Sequence, residues 1–302
     1  MKAKKRHIMF ILVACLLIAI SILSEMIYHK KHIKEMLTNN NASIRGFYNL
    51  SWKTSNRSGP TGSNYGVTFT GWLPGDQDTD TKLTSPLTDV SYNFLSYGGG
   101  NQNGAWDLQQ LTKLADPNLI ETIKTNYQGV CIDVESFSAE SSGAEAFNTA
   151  FNTAFKALKN KGLKVMVTTS HFCPYHGLES AAARDSIVKN WLKSEDIDIL
   201  SPQLYSSGKE SENDWRPTTG SSITYNDYKN ATPKLAPSIV DASMWNDVKS
   251  KFPNAVGYFQ WKQVLATNSG SGTNSGSGTN SGSGTNSGSG TNSGSGTNSG
   301  SG

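Results

Sequence analysis

YQGVCIDVE, running from Tyr127 to Glu135, decides the fold. In an extended chain side chains alternate between faces, so Cys131, Asp133 and Glu135 point one way while Val130, Ile132 and Val134 point the other. The valine and isoleucine side needs an apolar cover, and helices supply it in proteins where strands and helices alternate. The opposite side gathers two carboxylates at the end of the strand.

Six further runs have the same character: Ile44 to Trp52, Asp89 to Gly100, Gly162 to Phe172, Ile197 to Tyr205, Pro233 to Val240 and Ala255 to Trp261. All are short and rich in β-branched or aromatic residues, as strands are. An eighth, near Gly66 to Trp72, is the least regular of the set. Helical segments separate several of them. Asp116-Pro117 opens one with an acid at the cap and proline in the first turn. Ser142 to Asn160 places Phe147, Phe151, Phe155 and Leu158 on one stripe before Gly162 stops it, and Ser180 to Ser194 repeats the pattern with Ile187, Val188, Trp191 and Leu192. Alternation of this kind predicts parallel strands joined by helical crossovers. A count near eight predicts an α/β chain with a single (β/α)8 TIM-type barrel whose second strand is irregular. The competing architecture is an open doubly wound sheet. Its phosphate loop is absent, since GGGNQNG lacks both GxGxxG and GxxxxGK spacing.

The barrel is assigned to residues 43–265, and the segments on either side read differently. Lys2, Lys4, Lys5 and Arg6 form a basic region, residues 1–7, ahead of an apolar run from Ile8 to Leu23. Residues 8–28 therefore predict a signal-anchor or a signal peptide. Poor cleavage context in IAISILSEMIY favours the anchor. Positive charge before the segment predicts an outside location for everything beyond the linker 29–42, as a single-pass type II protein or a secreted one. At the other end, residues 267–302 are six copies of TNSGSG, which carry too little apolar surface to repay ordering and read as a polar tether.

Charge follows the same division. Of 27 Lys and Arg and 24 Asp and Glu, seven basic residues and one acid fall in the first 34, so the remainder carries about −3. Nucleic-acid binding, which needs a concentrated basic face, has no support. Asn-x-Ser/Thr sequons stand at Asn41, Asn49, Asn56 and Asn230, with Asn49 too close to a strand end to accept a glycan readily.

Active sites of such barrels gather at the C-terminal ends of strands. Asp133 and Glu135 end one strand on a shared face, and like charges this close do not both ionise cheaply, so one is expected to keep its proton near neutral pH. A protonated carboxylic acid at that position can donate to the departing oxygen of an acetal. Gln203 and Tyr205, two apart on another strand, offer an amide and a phenol to orient a polar ligand. Trp261 closes the last strand with a broad apolar plate suited to a sugar ring.

Other chemistry is weaker. His171, Cys173 and His176 form HFCPYH past a strand, without the fourth ligand or the second cluster that zinc requires, so the stretch reads as a loop packing against the site, and no metal and no cofactor is expected. An outside location permits a Cys131 to Cys173 disulfide. There is no GxSxG nucleophile motif, and Cys131 has no neighbouring base in the sequence.

With these residues in view, the sequence resembles glycoside hydrolase family 18, the chitinase family. That family's fourth-strand signature DGxDxDxE corresponds to QGVCIDVE: Gly129, Asp133 and Glu135 match, while Gln128 and Cys131 stand where aspartates are expected. Its SxGG is similar to Ser96, Tyr97, Gly98 and Gly99. Its Met/Gln-x-Tyr is similar to Gln203, Leu204 and Tyr205. A tryptophan closing the eighth strand corresponds to Trp261, and GFYNLSW resembles the first strand.

The resemblance implies retaining hydrolysis of β-1,4-linked N-acetylglucosamine polymers such as chitin. Glu135 would be general acid and then general base, and the substrate's own acetamide the nucleophile. Asp133 would orient that acetamide and Tyr205 would hydrogen-bond its carbonyl, with Gln203, Trp261 and Tyr48 binding sugar. Cys131, in place of an inner aspartate, implies weakened turnover. The alternative is a carbohydrate-binding, lectin-like surface protein with little or no activity.

Overall fold

The computed structural model describes residues 43–50, 59–69, 72–74, 86–100, 102–138 and 143–262. The N-terminal segment 8–28, the sequons at Asn41 and Asn56, and the repeat tail lie outside the described residues. Among the described residues no helix is long and apolar enough to cross a membrane.

Nine strands pair in parallel: β1 (Ile44–Asn49), β2 (Tyr65–Phe69), β3 (Tyr92–Gly98), β4 (Gly129–Val134), β5 (Lys164–Ser170), β6 (Ile199–Gln203), β7 (Lys234–Leu235), β8 (Ser238–Ile239) and β9 (Gly257–Gln260). The order β5-β4-β3-β2-β1-β9-β8-β6, closed by β5 against β6, is a barrel. β7 and β8 both lie along β6 and together fill one position, so the barrel has eight. The interruption falls at Ala236-Pro237, where proline has no N–H to give the ladder. Irregularity therefore belongs to the seventh position. β2 is regular, pairing residue for residue with β3 from Tyr65 to Phe69, which corrects the expectation of an irregular second strand.

The strand alternation separates two apolar layers. Val130, Ile132 and Val134 of β4 belong to the larger, between strands and helices. Cys131 belongs to the smaller, inside the barrel, with Tyr48, Val67, Phe69, Phe94, Met166, Ile199 and Phe259. Gly129 also points inward, and its missing side chain leaves room for the ring of Phe94.

Among the described residues six helices lie on the outside: α1 (Leu108–Leu114), α2 (Pro117–Lys124), α3 (Ala144–Asn160), α4 (Ala181–Trp191), α5 (Tyr225–Tyr228) and α6 (Trp245–Lys251). α2 starts as expected, with the Asp116 carboxylate accepting from the N–H groups of Asn118 and Leu119. α3 buries Phe147, Phe151, Phe155 and Leu158, and Phe151 meets Trp191 of α4 edge-on at 5.2 Å between ring centroids. Helix α1 lacks an apolar stripe of that length. It is capped by Asp107, which accepts from Gln110 N–H, and follows the turn after β3.

Candidate active site

β4 ends at the barrel mouth with Asp133 inside. Its side chain is 3 % exposed, and its backbone carbonyl accepts from Trp106 Nε1–H at 2.9 Å and from Gly99 N–H at 3.2 Å. The chain after β3 can lie this close only because Gly98, at φ +96°, has no Cβ; one there would collide with the Asp133 carbonyl oxygen. A Cβ on Gly99 would sit 3.7 Å from Asp133 Oδ2, and one on Gly100 would crowd Glu135 Oε2 at 2.8 Å. The SYGG turn is thus a wall of the carboxylate pair.

Glu135 lies two residues on and is half-buried. Gln203 ties the two acids together: its Nε2 donates to Glu135 Oε1 at 3.0 Å and to Asp133 Oδ1 at 3.3 Å. Ser170, at the end of β5, donates to Glu135 Oε2 at 3.1 Å.

Burial, and then the charge of Glu135, push the Asp133 carboxyl well above the usual carboxylate range. Of the two acids Asp133 is the more deeply buried, so burial weighs more heavily against its charged form.

Tyr205 brings its phenol to the same place. The residue is 5 % exposed, and its Oη has no hydrogen-bond partner among the described residues. Its acidity is suppressed by burial first, then by Tyr48, Asp133, Glu135 and Cys131, which puts the hydroxyl in their midst. A buried hydroxyl of this kind can donate to a polar group of a bound ligand.

Tyr48 is anchored differently: its Oη shares a hydrogen bond with Ser238 Oγ at 2.7 Å and reaches Thr168 Oγ1 at 3.4 Å. Its ring stands edge-on to Trp261 at 5.6 Å, and Tyr205 meets the same indole at 5.8 Å. The half-buried Trp261 therefore sits between two phenols at the mouth.

Cys131 is one layer below Asp133 and fully buried, in register with Ser96 on β3 and Met166 on β5. Burial, then Asp133, raise its thiol well above the ordinary value, so it is a neutral group there.

Cys131 and Cys173 are both free. Cys131 belongs to the inner layer and Cys173 to the outer one, so the sheet separates them and the permitted disulfide does not form. Cys173 Sγ instead faces Asp185 Oδ1 at 3.6 Å. Asn49 is 2 % exposed and donates to Thr68 Oγ1, a placement that leaves no room for a glycan, whereas Asn230 is exposed.

HFCPYH splits up as well. His171 turns to Asp214 and Tyr175, and His176 pairs through its backbone with Ser136. No group of three or more His, Cys, Asp or Glu side chains suited to a metal occurs among the described residues.

Asp133, Glu135, Gln203, Tyr205, Trp261 and Tyr48 meet at this mouth, with Cys131 one layer below and Gly98 and Gly99 in the turn beside it, whereas Gly129 stands at the other end of β4. Ser170 and Trp106 were not among the residues singled out from the sequence, and HFCPYH was read only as a loop packing against the site, without the contacts of His171 and Tyr175. Ser170 was open to detection, since it stands two residues after the inward-facing Thr168 on β5. The other three reach the site through turns whose shape no sequence period encodes.

No family model matches the chain, and no curated protein does. Among solved structures, the apo form of the homocysteine methyltransferase MmuM from Escherichia coli is similar at a TM-score of 0.27 and 9 % identity, over 57 % of this chain and 75 % of that one. A likeness at that level carries no argument about chemistry.

Proposed function

We propose that the barrel is a retaining hydrolase of β-1,4-linked N-acetylglucosamine polymers, chitin or a related glycan, with Glu135 as general acid and base. The observation that carries this reading is the carboxylate pair at the mouth, Asp133 buried and Glu135 half-buried, joined by Gln203 and faced by the Tyr205 hydroxyl, which has no hydrogen-bond partner among the described residues.

In this mechanism the substrate's acetamide carbonyl oxygen attacks the anomeric carbon as the bond to the glycosidic oxygen breaks. The Glu135 proton goes to the departing oxygen. Positive charge then develops on the acetamide and is stabilised by an ionised Asp133, while the Tyr205 hydroxyl donates to the acetamide oxygen. Asp133 must give up its proton for this. An acetamide N–H donating to Asp133 favours the ionised form, leaving the proton to Glu135. In the second half, Glu135 takes a proton from water as the water oxygen bonds to the anomeric carbon and the acetamide is released with configuration retained. Trp261 presents an apolar face to the sugar ring. The N-terminal segment, read as an anchor or signal, would put this site outside the cell.

A sugar-binding protein with little turnover is the second reading, and Cys131 favours it. A neutral thiol beneath Asp133 cannot accept its proton as an acid there would. Cleavage of a fluorogenic N-acetylglucosamine oligomer by wild type but not by Glu135→Gln supports the hydrolase. Binding without cleavage by either protein selects the second reading.

A further inference from the structure

We propose that His171 is a positioning residue for Glu135, a hub tying together the groups that grip the catalytic acid. This inference rests on the hydrolase reading above.

Among the described residues, three hydrogen bonds hold Glu135 besides its own strand. Ser170 Oγ donates to Oε2, Gln203 Nε2 donates to Oε1, and the Tyr175 N–H donates to the Glu135 backbone carbonyl at 2.7 Å. His171 is connected to each of them. It follows Ser170 in the chain, and its backbone forms an antiparallel bridge with Gln203. Its ring Nδ1 meets the Tyr175 hydroxyl at 2.9 Å.

The other ring nitrogen anchors the hub to the loop after β6. Nε2 lies 3.0 Å from Asp214 Oδ2 and 3.3 Å from Ser206 Oγ, and Ser206 in turn donates to Asp214 at 3.2 Å. Asp214 is also gripped by the exposed Arg216 guanidinium, so the carboxylate is fixed from both sides. An imidazole with its proton on Nε2 satisfies this set: it donates to Asp214 and accepts from Tyr175. Ser206 and Asp214 share the same nitrogen, which rules out a serine, histidine and acid relay, since a relay needs them on opposite nitrogens.

Backbone conformation points the same way. His171 is 5 % exposed and adopts φ +42°, a region costly for a residue with a Cβ. Glycine would fit that turn without cost. The turn carries an imidazole instead, and every polar atom of that imidazole is used.

The test is the kinetics of His171→Gly and His171→Asn on a fluorogenic N-acetylglucosamine oligomer, beside wild type and Glu135→Gln, with thermal melts confirming folding. Glycine keeps the turn and removes the ring; asparagine tolerates the turn and restores a donor toward Asp214. The glycine variant is expected to lose kcat by about 10- to 100-fold with KM changed less than about threefold, as a misplaced acid should, and asparagine to recover part of the loss. Should the glycine variant not fold, Tyr175→Phe removes only the bond to Nδ1 and is expected to lower kcat by about 3- to 10-fold. Wild-type kcat in a folded His171→Gly, or in Tyr175→Phe, overturns the proposal and leaves the hydrolase reading standing. A wild type that cleaves nothing removes the hydrolase reading and this inference together.

Discussion

Asp133 pays for its position in stability. Its folded-state carboxyl titrates well above an unfolded aspartate, so the folded protein holds a proton that the unfolded chain has already released. Stability from this group is fully present below the unfolded value, about pH 4, and is lost as pH rises toward the folded value. Asp133→Asn removes the ionisable group. Its melting temperature should exceed that of wild type at pH 7, with the difference shrinking toward pH 4; a variant less stable than wild type at pH 7 would contradict the assignment. Cys131 sets the other expectation at this scale. On the proposed mechanism, Cys131→Asp places a second carboxyl beneath Asp133 that can share charge with it and help turn it toward Glu135, so turnover should rise by about 10-fold or more. Unchanged or lower turnover at every pH would show that the thiol is not the limitation.

At the scale of elements, β3 and β4 make the site because a turn and a strand end lock together. Gly98 passes against the Asp133 carbonyl, and Trp106, beyond the turn, donates to the same oxygen. Gly98→Ala combines a disfavoured φ with a backbone collision and should cost at least about 2 kcal/mol, read as a lowered urea midpoint at unchanged slope. A wild-type midpoint would mean that the turn moves freely. β4 was legible in the sequence because period two is imposed by the backbone itself: Val130, Ile132 and Val134 had to part from Cys131, Asp133 and Glu135. Helix α3 was legible for the same reason at period 3.6. The break between β7 and β8 was not foreseen, although Pro237 lies in plain view, because a proline in a short apolar run marks an edge or an interruption only once the neighbouring strand is known. HFCPYH was opaque for a different reason. Its histidines acquire meaning from Asp214 and Ser136, which are distant in sequence or bonded through the backbone.

The described residues form a closed barrel whose interior is apolar in its lower part and polar at one mouth. The alternation of strands and helices made the barrel readable, and strand-end placement made Asp133, Glu135, Gln203, Tyr205 and Trp261 readable as a group. The difference in burial between the two acids was not readable. Spacing alone sets two like charges against each other, and only the depth of Asp133 shows which carboxyl burial disfavours more in its charged form. The central claim is that Glu135 cleaves a glycosidic bond at this mouth. It is tested most directly by the initial rate of hydrolysis of a fluorogenic N-acetylglucosamine oligomer by wild type and by Glu135→Gln, with oligomer binding measured on both. Cleavage by wild type, a loss of at least about 100-fold in the variant and binding within about threefold would agree with the account. Equal rates in the two proteins, or no cleavage by either, would contradict it.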